Sequence, residues 1–191
     1  MKYIFKLAVL LTAFTLIPAL SANAQEGTTW FGDTADGRWL AGIKYGQATN
    51  DALGFEDADA YTLVLGYQFA RQVGVDGSSN LEFEYTDSDE ADRNTGIAGD
   101  NWDLRSYGLY LTYQSPGTVY FKGKLGVLYS EISSETNNVK LASSDDANLA
   151  YGAGIGVTLG ANQNVNLELD YTASSGDNDI SLVNLGGYIT F

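Results

Sequence analysis

Past residue 36 the chain alternates apolar and polar side chains with a period of two, and the apolar positions keep falling on odd numbers. Trp39, Ala41, Ile43 and Tyr45 begin the pattern, followed by Tyr61, Leu63, Leu65, Tyr67 and Phe69, then Leu81, Phe83 and Tyr85. Tyr107, Leu109, Leu111 and Tyr113 form a fourth run, and Val119, Phe121, Leu125, Val127 and Tyr129 a fifth. Odd positions in 149–159, 165–171 and 183–191 complete eight. Such alternation marks strands with one apolar face. Eight regular strands in succession must hide their edges, and closing the sheet is the simplest way. The expected fold is all-β, an eight-stranded antiparallel up-and-down barrel spanning residues 37–191.

The even-numbered face is small or polar, with Gly42, Thr62, Gly66, Gln68, Gly108, Thr112, Gly152, Gly154 and Gly156. It also carries Arg38, Lys44, Lys122 and Lys124 against Glu82, Glu84, Glu168 and Asp170, a formal sum of zero. The positive charges belong to the first and fifth runs and the negative ones to the third and seventh. In a closed barrel of eight strands, just wide enough to be filled by side chains, they would alternate around the lumen as an ion-pair network.

Alternation alone does not say which face looks inward, since a soluble lipocalin-type barrel buries its apolar face. The tyrosines decide it. Tyr45, Tyr61, Tyr85, Tyr107, Tyr129, Tyr151 and Tyr171 each lie on the apolar face, toward the same end of a different run. A belt of amphipathic rings at one height is what a membrane–water interface selects. Trp39, Phe69, Tyr113, Phe121 and Phe191 make a sparser belt at the other end. The connections alternate as well. Residues 46–59, 87–101, 131–147 and 172–179 read as loops rich in Asp, Ser, Asn and Gly, whereas 115–117 and 160–164 read as tight turns, with 70–80 a longer exception on the same side. Long loops on one side and short turns on the other suit a transmembrane barrel with both termini on the short-turn, periplasmic side.

The beginning of the chain reads as an export address. Lys2 and Lys6 precede an almost wholly apolar stretch over 7–20, and Ala22-Asn23-Ala24 supplies a small-x-small cleavage pattern. A signal peptide over 1–24 is expected, leaving a mature chain from Gln25 and a short segment, 25–36, before the barrel. No later stretch is long and apolar enough for a helical span. The formal charge of −14 becomes −16 once Lys2 and Lys6 are removed. A chain so acidic offers no basic patch to nucleic acid.

The final residues, Asn184-Leu185-Gly186-Gly187-Tyr188-Ile189-Thr190-Phe191, resemble the terminal β-signal of outer-membrane proteins, through Asn184, Gly186, Ile189 and the aromatic Phe191. In that family the barrel-assembly machinery reads the segment. Residues 37–191 as a whole resemble the small OmpA-like and OmpX-like barrels, the outer-membrane β-barrel domain family. The resemblance implies a monomer in the outer membrane of a Gram-negative bacterium, bathed in lipid and lipopolysaccharide. With Phe191 last, no peptidoglycan-binding domain of the OmpA kind is expected.

The chain has no His. The small outer-membrane enzymes resemble one another in using His, and general-base work near neutral pH needs His or a strongly shifted carboxylate. No catalytic residue is expected, and Glu82/Glu84 and Glu168/Asp170 read as ion-pair partners. With the strand core neutral, the negative charge falls in the long loops and their rims. Asp87, Asp89 and Asp92 there offer hard oxygens, a candidate Ca²⁺ site without the spacing of an EF-hand; otherwise no cofactor is indicated. Two functions compete: a structural or surface-interaction barrel with acidic extracellular loops, and a narrow channel for ions or small solutes. A soluble lipocalin-like binder is the third reading. Glycines inside the barrel leave space, whereas Tyr110, Tyr120 and the charge pairs fill it.

Overall fold

The computed structural model describes residues 37–50, 56–69, 77–92, 100–136, 139–160, 164–175 and 180–191, with the side chains of 100 and 135–146 outside that description. The expected signal peptide and the segment 25–36 fall outside it too. The described residues form strands β1 (Arg38–Asn50), β2 (Ala58–Gln68), β3 (Ser78–Ser88), β4 (Ala91–Asp92), β5 (Asp100–Gln114), β6 (Val119–Thr136), β7 (Val139–Leu159), β8 (Val165–Ser175) and β9 (Ile180–Thr190). Each long strand pairs antiparallel with its neighbours in sequence, β3 passing to β5, and β1 pairs with β9. Eight strands therefore close a barrel, and β4 adds two residues beside the start of β5. The seam is tied at the end where the barrel's two termini meet by Trp39 and Phe191, each backbone N–H donating to the other's carbonyl at 3.0 and 2.9 Å.

Paired residues trace the stagger of the wall. From Ser130 on β6 the row runs through Ser106, Thr86, Thr62 and Lys44 to Gly186, Glu168 and Gly156. It returns to β6 at Tyr120, ten residues below its start. Eight strands with that stagger lean about 40° from the barrel axis at a radius of about 8 Å, so side chains can fill the lumen.

The faces fall by parity. Every exposed large hydrophobic residue among those described is odd-numbered, from Ile43 at 57% to Phe191 at 68%. Buried charged and polar residues such as Lys44, Glu82, Lys122 and Asp170 are even-numbered. So large a continuous apolar exterior is incompatible with water and fits lipid, which excludes the soluble lipocalin arrangement. Odd-numbered tyrosines stack along the upper rim: Tyr45 on Tyr61 at 5.1 Å between centroids, Tyr85 on Tyr107 at 5.2 Å, and Tyr107 on Tyr129 at 6.3 Å. Below them Trp39, Tyr67 and Phe69 form a second ladder with 5.3 and 5.6 Å spacings.

The structure departs from the expected loops. Residues 131–136 and 139–147, expected as part of a loop, continue β6 and β7 instead, and β5 follows β6 up to Asp100. Above the tyrosine belt neither face meets lipid, so the apolar alternation stops while antiparallel backbone pairing carries on. The other long loops shorten for the same reason, since β1 reaches Asn50, β2 begins at Ala58 and β8 reaches Ser175. The tight turn after β5 keeps its place, with Gly117 in the left-handed region at φ 118°.

Candidate functional site

The lumen between the two aromatic belts holds three lysines and four carboxylates, all nearly fully buried. Lys44 on β1 stands centrally, its ammonium 3.1 Å from Glu84 Oε1, 3.1 Å from Glu168 Oε1 and 3.2 Å from Asp170 Oδ1. Lys122 on β6 bridges Glu82 at 2.8 Å and Glu168 at 3.0 Å. Lys124, two residues on, bridges Glu84 at 2.9 Å and Asp170 at 2.8 Å. Each ammonium thus joins carboxylates from β3 and β8 across the barrel. Neutral donors complete the shell: Asn80 Nδ2 and Thr112 Oγ1 donate to Glu82 Oε1 at 3.1 and 3.0 Å, and the Tyr120 hydroxyl donates to Glu168 at 3.3 Å.

Glycine makes room for this lattice. A side chain at Gly152 would begin 2.9 Å from the Lys124 stem, and one at Gly108 or Gly156 would collide with the rings of Tyr110 or Tyr120. Gly186 lies opposite Lys44 across the β1–β9 seam, and any larger residue there would meet its backbone and Cβ. Large lumen residues therefore lie over glycines, of the adjacent strand for Lys44, Lys124 and Tyr120 and of the same strand for Tyr110. Lys124 also sits 4.7 Å from the centroid of the buried Tyr110 ring.

The expected network differs in one member. Arg38 is exposed at the start of β1 and pairs in register with Gln68, away from the lattice. Even parity aims it inward, but its place at the strand's first residue leaves it at the mouth of the barrel, where water solvates the guanidinium. The buried cluster is consequently three lysines against four carboxylates.

A second closure lies nearer the long-strand end, toward the tyrosine belt. Trp102, Leu104, Ile132, Ile180 and Leu182 pack with Ala48, Ala58 and Ala60 in a cluster 0–7% exposed. The Trp102 indole N–H donates to the Glu56 carbonyl at 2.9 Å, pinning the cluster to the segment before β2. These residues are even-numbered and inward, so the inner face is not uniformly small or polar. Once parity is known, a large apolar residue on an even number is a readable signal of such a plug.

The remaining sequence candidates are distributed around the rim and seam. The seven tyrosines face outward, with Tyr45, Tyr61, Tyr151 and Tyr171 most exposed. Asn184, Gly186 and Ile189 lie on β9 and Phe191 follows it, with Ile189 and Phe191 outward and Asn184 buried. Asp87 pairs with Arg105 at 3.2 Å in an exposed ion pair, and Asp92 lies in β4 opposite Asn101. Among the described residues Asp87, Asp89 and Asp92 are not gathered into a group able to hold a metal ion.

The sequence profile of the outer membrane protein beta-barrel domain matches residues 12–187. The chain belongs to the outer-membrane β-barrel domain family. No curated protein sequence matches it. Solved members of this barrel class are similar in fold. The attachment invasion locus protein Ail of Yersinia pestis superposes with a TM-score of 0.55 at 16% identity, covering 81% of this chain and 97% of Ail. The outer membrane protein AlkL, solved in lipid bilayers, gives 0.55 at 16% identity over 87% of this chain and 96% of its own. The N-terminal β-barrel domain of OprF from Pseudomonas aeruginosa gives 0.50 at 13% identity, over 82% and 100%. Like other family members, then, the chain is an integral outer-membrane barrel.

Proposed function

We propose that this barrel is a structural and surface-interacting component of the outer membrane, and neither an enzyme nor a conduit. The observation that carries the reading is the double closure of the lumen, by the lysine–carboxylate lattice between the belts and by the Trp102 cluster above it. A solute on the axis would have to part seven buried charges and then an apolar plug. Outside the membrane, β5, β6 and β7 rise beyond the shorter β1, β2, β8 and β9. The sequence of these rising segments is rich in polar and acidic residues, suited to the zone where lipopolysaccharide and outside ligands are met. Divalent cations bridging the acidic rim to lipopolysaccharide phosphates belong to the same reading, with Ca²⁺ the natural candidate. Export through a signal sequence ending at Ala24, and delivery to the barrel-assembly machinery by the strand ending at Phe191, complete it.

The test is recording in planar bilayers on barrel whose folded state is verified by heat-modifiable gel mobility. The expected result is no steady open state. A reproducible single-channel conductance that changes with Glu84→Gln or Lys124→Met would overturn the proposal and establish the narrow channel in its place.

A further inference from the structure

The lattice is not neutral. Among the described residues the buried charges are Lys44, Lys122 and Lys124 against Glu82, Glu84, Glu168 and Asp170, leaving one negative charge in excess. A buried charge without compensation costs several kcal/mol, so the lumen has reason to take up a counter-charge.

A second observation says where. Just above the lattice, several buried polar atoms have no hydrogen-bonding partner in the protein: the Tyr110 hydroxyl, Thr172 Oγ1, Ser106 Oγ and both amide atoms of Asn184. Each of these residues is 1% exposed. Asp170 Oδ1 joins them, being 3.2 Å from the Lys44 ammonium but out of hydrogen-bond alignment with it. Register places Asn184, Thr172 and Asp170 side by side, with Ser106 opposite Thr86, the next inward residue above Glu84. Asn184 is directly opposite Asp170 on the neighbouring strand, and Thr172 is the next inward residue above Asp170. The Tyr110 ring lies against Lys124, whose ammonium is bound to Asp170, and over Gly108, the register partner of Glu84. Gly46, opposite Asn184, and Gly152, opposite Thr172, leave this layer without side chains on two further strands. The Trp102 cluster lies above and the lattice below.

We propose that this layer holds one small monovalent cation, Na⁺ or K⁺, beside Asp170 and Glu84. Tyr110, Thr172, Ser106 and Asn184 supply neutral oxygens to it directly or through its waters. Hard cations take oxygen ligands of this kind. One excess charge calls for one positive charge; the point where Glu84, Glu168 and Asp170 meet is already filled by the Lys44 ammonium, and the described residues include no group of acidic side chains able to hold a multivalent ion. A proton on one carboxylate would balance the charge but leave the row of oxygens unexplained. A hydrated cation answers both observations.

The test is thermal unfolding of the full-length barrel, refolded in detergent with chloride salts of Na⁺, K⁺ or N-methyl-D-glucamine at equal ionic strength. The midpoint is read from gel mobility. Binding to the folded state alone raises the midpoint with cation concentration, by about 3 °C or more at saturation. The expected result is a saturable rise with Na⁺ or K⁺ over N-methyl-D-glucamine, absent in Asp170→Asn, which equalises the charges. Tyr110→Phe and Thr172→Val leave every ion pair in place and are expected to weaken the dependence, so they test the site even if Asp170→Asn does not fold. Equal midpoints in all three salts would overturn the proposal. So would a midpoint that follows pH and ignores the cation, or a dependence unchanged in all three variants.

Discussion

Replacing Lys44 with Met tests whether the lattice is an energetic unit or an incidental arrangement. Methionine keeps most of the stem volume and removes an ammonium that touches Glu84, Glu168 and Asp170 at 3.1–3.2 Å. Glu84 and Asp170 retain Lys124, and Glu168 retains Lys122, so no carboxylate is wholly stranded. The charge imbalance nevertheless doubles, from one negative charge to two. Removing one partner of a buried pair costs about 3–5 kcal/mol. The expected loss lies in that range, which lowers the folding equilibrium constant by roughly two to four orders of magnitude. Reversible urea unfolding in lipid vesicles, followed by tryptophan fluorescence, measures it. Arg105→Ala is the control, because the Arg105–Asp87 pair is 44% and 50% exposed; screened by water, it is worth at most about 1 kcal/mol. Lys44→Met combined with Asp170→Asn should recover part of the loss. A cost for Lys44→Met no larger than that for Arg105→Ala, or a double variant worse than the sum of its parts, would refute this account of the lattice.

Trp102→Ala removes the largest member of the apolar plug and its hydrogen bond to Glu56; a loss of about 3–5 kcal/mol is expected in the same urea assay, as for other buried aromatics. Tyr61→Ala takes one ring from the Tyr45–Tyr61 pair and should cost about 1 kcal/mol in vesicles. The cost should fall in detergent micelles, where no flat interface is present. Gly46→Val would drive a side chain into the Val183 carbonyl and the Asn184 side chain across the seam. Loss of the heat-modifiable folded band is expected, whereas Gly123→Val, whose Cβ meets nothing within 4 Å, should fold normally.

Much of this could be read before any coordinates because a lipid-facing barrel writes its two faces into alternate residues. Odd parity from Trp39 to Phe191 gave the strands and the lipid face, and even parity gave the lattice residues. The pattern failed where its physical cause is missing. Residues 131–136 and 139–147 belong to strands, but above Tyr129 there is no lipid to demand apolar side chains, so only backbone pairing marks them. Arg38 has the parity of the lattice without its depth, and alternation carries no information about depth. Ala48, Ala58, Trp102 and Ile180 lie within or beside stretches rich in polar residues, and their even numbering was the only sign that they point into the barrel.

The stagger between β1 and β9 gives the lattice one further role, as a check on how the barrel closes. In the native seam Lys44 meets Gly186, which has no side chain to obstruct it. Slipping β9 by one residue would turn its faces over, bringing Leu185 or Gly187 opposite Lys44 and turning Asn184 and Tyr188 toward lipid. A slip of two residues would keep the faces but set Asn184 or Tyr188 against Lys44, obstructing its reach to Glu168 and Asp170. The charges that seal the lumen thus disfavour neighbouring registers at the seam where the first and last strands of the barrel meet.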